Sequence, residues 1–440
     1  MTFFAAFFSR QHIALQILCL CFCIRTVSAQ IYKPLATSPT VERTDFYNRQ
    51  QARVQSNTLY TVAPDFESTS VAVNISADEN FAGAYLIAAQ DTFFLREDEH
   101  RVAEDSIRQS QLIIFEKVLD SFVFYPAGIS GNVSFSLINA ENGRAEVYAR
   151  MQQNKKKKQT QQPGICEQPT LVSQSVWRAG LPAPSYQRVE TSVRHVIVHH
   201  SAGSNTNTDY ANTVRNIYLF HTQDRGWSDI GYNFLIGQDG SIFQGRSFGD
   251  SSLDSDNIRG AHFCGQNSGT MGICMLGNFN TAVPSDTSVA SLNQLISWKL
   301  QKESLQPFEE YVHPANARLS VVAAHRNGCA TECPGDNLYV MLDRIRLEVE
   351  SLLEGGCEPE VPTAFSVYPI PAENELNISL PEAVEPETFH LVDALGQRME
   401  VSAYQQEDTW IIETVGIRAG FYVLLVDGTG FSYERKLLIH

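Results

Sequence analysis

The stretch Ala323–Asn337, AAHRNGCATECPGDN, sets His325, Cys329 and Cys333 at equal spacing among glycines and a proline. Imidazole nitrogen and thiolate sulfur are ligands that zinc takes readily, and a catalytic zinc uses three protein ligands while keeping a fourth position for water. A second pair of candidates, His199 and His200, ends the apolar run VRHVIVHH, Val193–His200. His199 or His200, His325 and one cysteine would complete a catalytic set. Successive strand residues face opposite sides, so a regular strand offers only one of the two adjacent histidines to a metal. A structural site built from His325, Cys329 and Cys333 is a competing reading, but it needs a fourth ligand and leaves no open position. The plainest alternative treats these residues as unrelated core histidines and disulfide cysteines. Cys333 precedes Pro334 just ahead of the last helix, where a helix N-terminus favours a thiolate.

The elements that must position these groups form an alternation of strands and helices over residues 166–357. VRHVIVHH is dense in β-branched residues and long enough for a buried strand. In the helix that follows, Val214, Ile217, Tyr218 and His221 fall at i, i+3, i+4 and i+7 and share one face. GYNFLIGQDGSIFQGR gives two strands about an Asp239–Gly240 turn, and MGICMLGNF and LSVVAAH supply further apolar strands. The final helix takes Asp336 as its N-cap, buries Leu338, Leu342, Ile345, Val349 and Leu352, and stops before Gly355 and Gly356. The expectation is an α/β domain with a mixed β-sheet flanked by helices, whose strand ends gather the ligand groups.

Around that domain the pattern changes. Within residues 30–150, the first thirty or so are polar without clear periodicity, and from about Leu59 to Arg150 short apolar or alternating runs such as SVAVNIS and LIIFEKVLDSFVFY alternate with Asp, Asn and Gly. These read as a β-sandwich without a catalytic constellation, a spacer or binding module. Residues 151–165, with Lys155–Lys158, read as a solvated linker, and residues 358–363 as a second one. Residues 364–440 again show alternating strands, a small all-β domain. At the start, Arg10, the apolar run Ile13–Ile24 and the small residues ending at Ala29 have the order of a secretory signal over residues 1–29, too short to span a membrane as a helix. Cys19, Cys21 and Cys23 leave with it; none follows the small residue that lipidation requires. The mature chain is then a soluble exported protein without an integral membrane segment. It keeps Cys166, Cys264, Cys274, Cys329, Cys333 and Cys357 in an oxidising compartment, as three bridges or as fewer bridges plus a ligand. A formal net charge of −16 over 440 residues excludes an ordinary nucleic-acid binder, which needs clustered Lys and Arg.

Taken in order, VIVHHSAG, RGWSDIGYNFLIGQDGSIFQGR, GAHFCGQNSGTMGICMLGNF and HRNGCATECPGDN resemble the zinc-dependent N-acetylmuramoyl-L-alanine amidases of the phage lysozyme and peptidoglycan recognition protein family. The resemblance implies Zn2+ held by His199, His325 and Cys333, with Tyr232 and Thr331 as catalytic residues and His262 in contact with substrate. It implies that a zinc-activated water hydrolyses the lactyl–L-alanine amide of peptidoglycan, and that no local cation stabilises the transition state. Members that only bind peptidoglycan commonly lack the cysteine ligand, and a non-catalytic peptidoglycan-binding protein is the alternative reading. Within that family fold, Cys264 is expected to bridge Cys329; Cys166 and Cys357 bracket the domain and are expected to tie its two ends together, and Cys274, inside the apolar run MGICML, is expected to be a buried free thiol. The cysteine pair near the first histidine in recognition proteins is missing from this chain. A third reading makes the chain a surface adhesin built on residues 30–150. The C-terminal runs FSVYPIPAENELNISL, LVDALGQRMEV and AGFYVLLVDG resemble the sorting domain of the type IX secretion system, with Ile370 in place of the usual asparagine. That resemblance implies the type IX machinery as a partner and a secreted or surface-attached destination.

Overall fold

The computed structural model describes residues 32–40, 43–89, 91–98, 106–158, 168–185, 189–247, 255–354, 366–368, 372, 374–380, 386–393, 396–406, 409–428 and 431–439. The signal-like segment and both cysteines of the expected Cys166–Cys357 bridge lie outside these residues. The chain divides into two units, Met1–Ser351 and Leu352–His440.

At the centre of the first unit is a six-stranded sheet. Its strands are β1 (Leu171–Val172), β2 (His195–His200), β3 (Phe234–Ile236), β4 (Ile242–Gln244), β5 (Thr270–Met275) and β6 (Val322–Ala324), in the spatial order β1-β4-β3-β5-β2-β6. Only the β3–β4 hairpin about Asp239–Gly240 is antiparallel; the other pairings are parallel, so the sheet is mixed. β2 is buried along its whole length, as the run of β-branched residues requires of a strand covered on both faces. Helix α1 (Tyr210–Leu219) packs on one face, where Val214 and Tyr218 join Leu235, Phe243 and Cys274 in a single apolar cluster. Helix α2 (Asp286–Glu303) lies on the other face, its Trp298 meeting Phe234 edge-on at 6.3 Å. Helix α3 (Leu342–Glu354) runs beside α2, joined to it by an Asn293–Glu348 hydrogen bond.

Two expected elements divide differently. LSVVAAH is not one strand: Asn316–Ser320 pairs in a separate hairpin with Glu310–His313, and only Val322–Ala324 enters the central sheet. The last helix is also split, into a single turn at Asp336–Tyr339, whose N-cap is Gly335 rather than Asp336, and the longer α3. Leu338, Leu342, Ile345 and Val349 are buried, while Leu352 is only half-buried.

Residues 32–138 form a five-stranded and a six-stranded sheet that share one apolar core, including Val71, Val73, Phe124, Phe135 and Leu137. A helix, Arg144–Lys158, follows, so the segment expected to be a linker from residue 151 begins inside regular structure. This β-region does not stand apart from the central sheet. Its Tyr47, Ala72, Ile138 and Ala140 belong to the same apolar cluster as Val214, Tyr218 and Tyr232.

The contact centres on α1, where every residue from Ala211 to Leu219 is buried. Polar groups inside such a helix must find partners, and many of them find these in the β-region, with Trp177 and Ala179 supplying others. The Arg215 guanidinium donates to the carbonyls of Ala140, Asn142, Trp177 and Ala179. Asn216 Oδ1 accepts from the hydroxyls of Thr69 and Ser70, each at 2.7 Å. Asp209, the N-cap of α1, accepts from Asn212 N and also from Arg144 and Tyr148.

The second unit is all β in its described residues, with two four-stranded sheets around Leu376, Ile378, Leu391, Leu424 and Val426. Among the described residues no helix is long and apolar enough to cross a membrane.

Candidate metal centre

The C-terminal end of β2 and the turn after β6 lie side by side because the two strands pair in parallel, Val198 opposite Ala324. His199 and His325 thereby come together, with ring centroids 4.5 Å apart. Strand alternation separates the two adjacent histidines. His199 projects to the α1 face, and His200 accepts a hydrogen bond from Phe279 N through its Nδ1 at 3.2 Å. Cys333 completes the group: its Sγ is 3.7 Å from His199 Nδ1, and the three ligand atoms of His199, His325 and Cys333 lie within 4.8 Å of one another, all buried. A tetrahedral zinc with nitrogen at about 2.0–2.1 Å and sulfur at about 2.3 Å sets N and S roughly 3.5 Å apart. Two imidazoles and a thiol at this spacing fit that ion.

The helix N-terminus invoked for Cys333 is a single turn, too short to carry a full macrodipole. A nearer group acts instead, the His200 backbone N–H, which donates to Cys333 Sγ at 3.4 Å. Cys329 does not join the ligands. It forms a disulfide with Cys264, which removes the His325–Cys329–Cys333 structural site from consideration.

His262, expected to touch substrate, is also in contact with His199. It is 5% exposed, and its Nδ1 lies 3.0 Å from His199 Nε2. Its Nε2 is 3.3 Å from Thr270 Oγ1, which in turn donates to the Asn267 carbonyl at 2.9 Å. One tautomer assignment satisfies the whole chain: His199 Nε2–H donates to His262, and His262 Nε2–H donates to Thr270. It leaves a lone pair on His199 Nδ1, the atom that faces Cys333, as a neutral imidazole ligand requires. Gly272 makes room for this histidine, since a Cβ there would stand 2.5 Å from the His262 ring.

Tyr232 packs beside His199, ring centroids 5.3 Å apart. Burial, reinforced by the neighbouring Cys274 and Cys333, holds its phenol well above the usual range, so it is a protonated donor at neutral pH. Cys274 is a buried free thiol that meets the Tyr232 hydroxyl, and its own pKa is driven up by burial. Thr331 lies next to the ligand loop, its hydroxyl accepting from Cys333 N at 3.1 Å.

Arg225 is close enough for its charge to act on Tyr232. It is buried, its pKa lowered by desolvation to about 10, and it is ion-paired with Asp98 of the β-region. The sequence reading also missed His221 as a neighbour of Tyr232, at 5.9 Å between ring centroids. Its only signal was a place on the buried face of the helical pattern.

Two buried imidazoles and a thiol, presented at the strand ends of a mixed α/β sheet, form a donor set of the kind that holds a catalytic zinc. Residues 189–336 match the family model described as N-acetylmuramoyl-L-alanine amidase, and residues 366–440 the model described as a secretion system C-terminal sorting domain. The peptidoglycan-recognition protein SC2 of Drosophila simulans is 33% identical over 172 residues, covering 39% of this chain and 83% of the relative. Peptidoglycan recognition protein 1 of Bos taurus is 33% identical over 178 residues, covering 40% and 83%. Among solved structures, wild-type Drosophila PGRP-LB is 30% identical, covers 40% of this chain and 92% of that chain, and has a TM-score of 0.33. The chain belongs to the N-acetylmuramoyl-L-alanine amidase and peptidoglycan recognition protein family, and it carries a C-terminal sorting domain.

Proposed function

We propose that the chain is an exported, zinc-dependent N-acetylmuramoyl-L-alanine amidase that hydrolyses the lactyl–L-alanine amide of peptidoglycan. The observation that carries this reading is the convergence of His199, His325 and Cys333 within 4.8 Å. When bound, zinc supplies Lewis acidity and brings the pKa of a coordinated water down to about 7. The chain's own residues do the rest. Tyr232, kept protonated by burial, donates a hydrogen bond to the amide carbonyl oxygen as negative charge develops on it. Thr331, held by the Cys333 N–H, presents its hydroxyl to the same oxygen. His262 acts through His199 as a positioning residue, fixing the ring so that Nδ1 stays a ligand. Cleavage leaves the lactyl carboxylate on the glycan and frees the amine of L-alanine on the stem peptide. The sorting domain directs the protein outward through the type IX machinery, to a secreted or surface-attached state.

The non-catalytic alternative draws support from relatives that are named recognition proteins rather than amidases. Zinc content and wall binding separate the two. The amidase reading expects one zinc per chain in the wild type and its loss in Cys333→Ser, together with loss of turnover. Wall binding and zinc content both unchanged by Cys333→Ser would support the non-catalytic reading.

A further inference from the structure

The cavity next to Tyr232 is not enclosed by the family fold alone. Its central-domain wall includes Ser201, His221 and Tyr232, and the facing wall comes from the N-terminal β-region, through Arg96, Asp98 and Leu112. A second recess shares Leu112, Ser201 and Ile217 with the first and continues past Asn207 and Tyr210, so the groove runs on along α1.

The β-region wall is held in place at several points. Asp98 is ion-paired with Arg225, each side chain 9% exposed. Asp224, beside it, accepts from Tyr47 Oη at 2.7 Å, Arg49 at 2.8 Å and Gln109 at 2.6 Å, all three from the β-region. The backbone at Arg96, just past the strand Asp91–Phe94, is tied to Gln111 by Arg96 N to Gln111 Oε1 at 2.7 Å and Gln111 N to Arg96 O at 2.9 Å. Charge along this wall is uneven. Glu97 pairs with Arg108 and Asp98 with Arg225. Among the described residues, the exposed Arg96 guanidinium makes no hydrogen bond or ion pair. A planar guanidinium at the mouth of a groove is suited to a carboxylate, which it can engage through two parallel N–H···O bonds.

We propose that the N-terminal β-region forms part of the substrate-binding groove and that Arg96 binds a carboxylate of the peptide stem. This rests on the amidase reading for the identity of the ligand. It gives residues 30–150 a role beyond a spacer: they select stems with a free carboxylate over amidated ones.

The test uses two synthetic muramyl tripeptides with L-alanine, D-glutamate and L-lysine, one with the glutamate α-carboxylate free and the other with it amidated. Binding of each is measured by calorimetry to the full chain carrying Cys333→Ser, which prevents turnover, with and without Arg96→Gln. Arg96→Gln is expected to weaken the free-carboxylate probe about tenfold, the scale of one lost charge-assisted contact, and to leave the amidated probe within about twofold. Equal binding of both probes to both proteins overturns the proposal, as does no binding of either probe. Steady-state kinetics on the zinc-loaded full chain separates the two ideas. Unchanged kcat and KM in Arg96→Gln with active wild type sinks the Arg96 assignment and leaves the amidase standing. Arg96-dependent binding in a protein that cleaves neither probe sinks the amidase and leaves the groove standing.

Discussion

Asp224→Ala should destabilise the first unit strongly, although residue 224 lies in a stretch, FHTQDRGW, with no outward sign of importance. Its side chain is 2% exposed and gathers a phenol, a guanidinium and an amide from the β-region. The substitution takes away the acceptor and leaves all three donors facing a void. Removing one partner of a buried ion pair costs about 3–5 kcal/mol. Arg49 is 27% exposed and can recover some hydration, which puts the expected loss near the low end, at about 3 kcal/mol. Asp224→Asn keeps one acceptor oxygen while losing the charge, and should cost about half as much. Both are read from urea unfolding of the full chain by ellipticity. The β-region and the central sheet share one apolar cluster, so both should unfold in the same transition. A loss under about 1 kcal/mol for Asp224→Ala, or an early transition of the β-region alone with the central sheet unaffected, would refute the picture of a single welded unit.

Three further outcomes follow from the site and its supports. Asp229 is buried, and desolvation raises its carboxyl to about 6 despite Arg246 and the bonds from Gln174, Ile230 and Ser247. Because the folded pKa is the higher one, its contribution is fully present below about 4 and is lost as pH rises through about 6. The stability of wild type relative to Asp229→Asn should therefore fall by up to about 3 kcal/mol between pH 4 and 7, read from urea midpoints. Opening the Cys264–Cys329 bridge, which closes 65 residues of chain, with Cys264→Ser and Cys329→Ser together should cost about 2–4 kcal/mol by the same assay. His262→Gln should weaken zinc about 10- to 100-fold in competition with a chromophoric chelator, as loss of an orienting partner does; an unchanged affinity would return His262 to the substrate.

The meeting of His199, His325 and Cys333 was legible because its logic is local. A β-branched strand ending in two histidines fixes one of them to each face, and the chain after β6 delivers His325 and Cys333 in one short turn. What the pattern left undecided was which of His199 and His200 takes the α1 face, and only the register against β5 and β6 settles that. The contact of His262 with His199 was not legible because a histidine in a loop looks the same in sequence whether it touches substrate or a ligand's far nitrogen. The β-region's part in the groove was invisible for a different reason. Arg96, Asp98, Asp224 and Arg225 are ordinary surface residues by type, and their meeting depends on contacts more than a hundred positions apart in sequence. Likewise, Lys155–Lys158 reads as a solvated run, yet it ends a helix whose earlier residues, Arg144 and Tyr148, anchor the N-cap of α1.

The most direct test of the central claim is mass spectrometry of the fragments that the zinc-loaded full chain releases from a defined muropeptide, beside the same protein with His325→Ala. The account predicts an intact stem peptide beginning with a free L-alanine amine and a muramic acid bearing a free lactyl carboxylate, both absent with His325→Ala. Cleavage at any other bond, equal product from His325→Ala, or no product from a protein that holds one zinc per chain would contradict it.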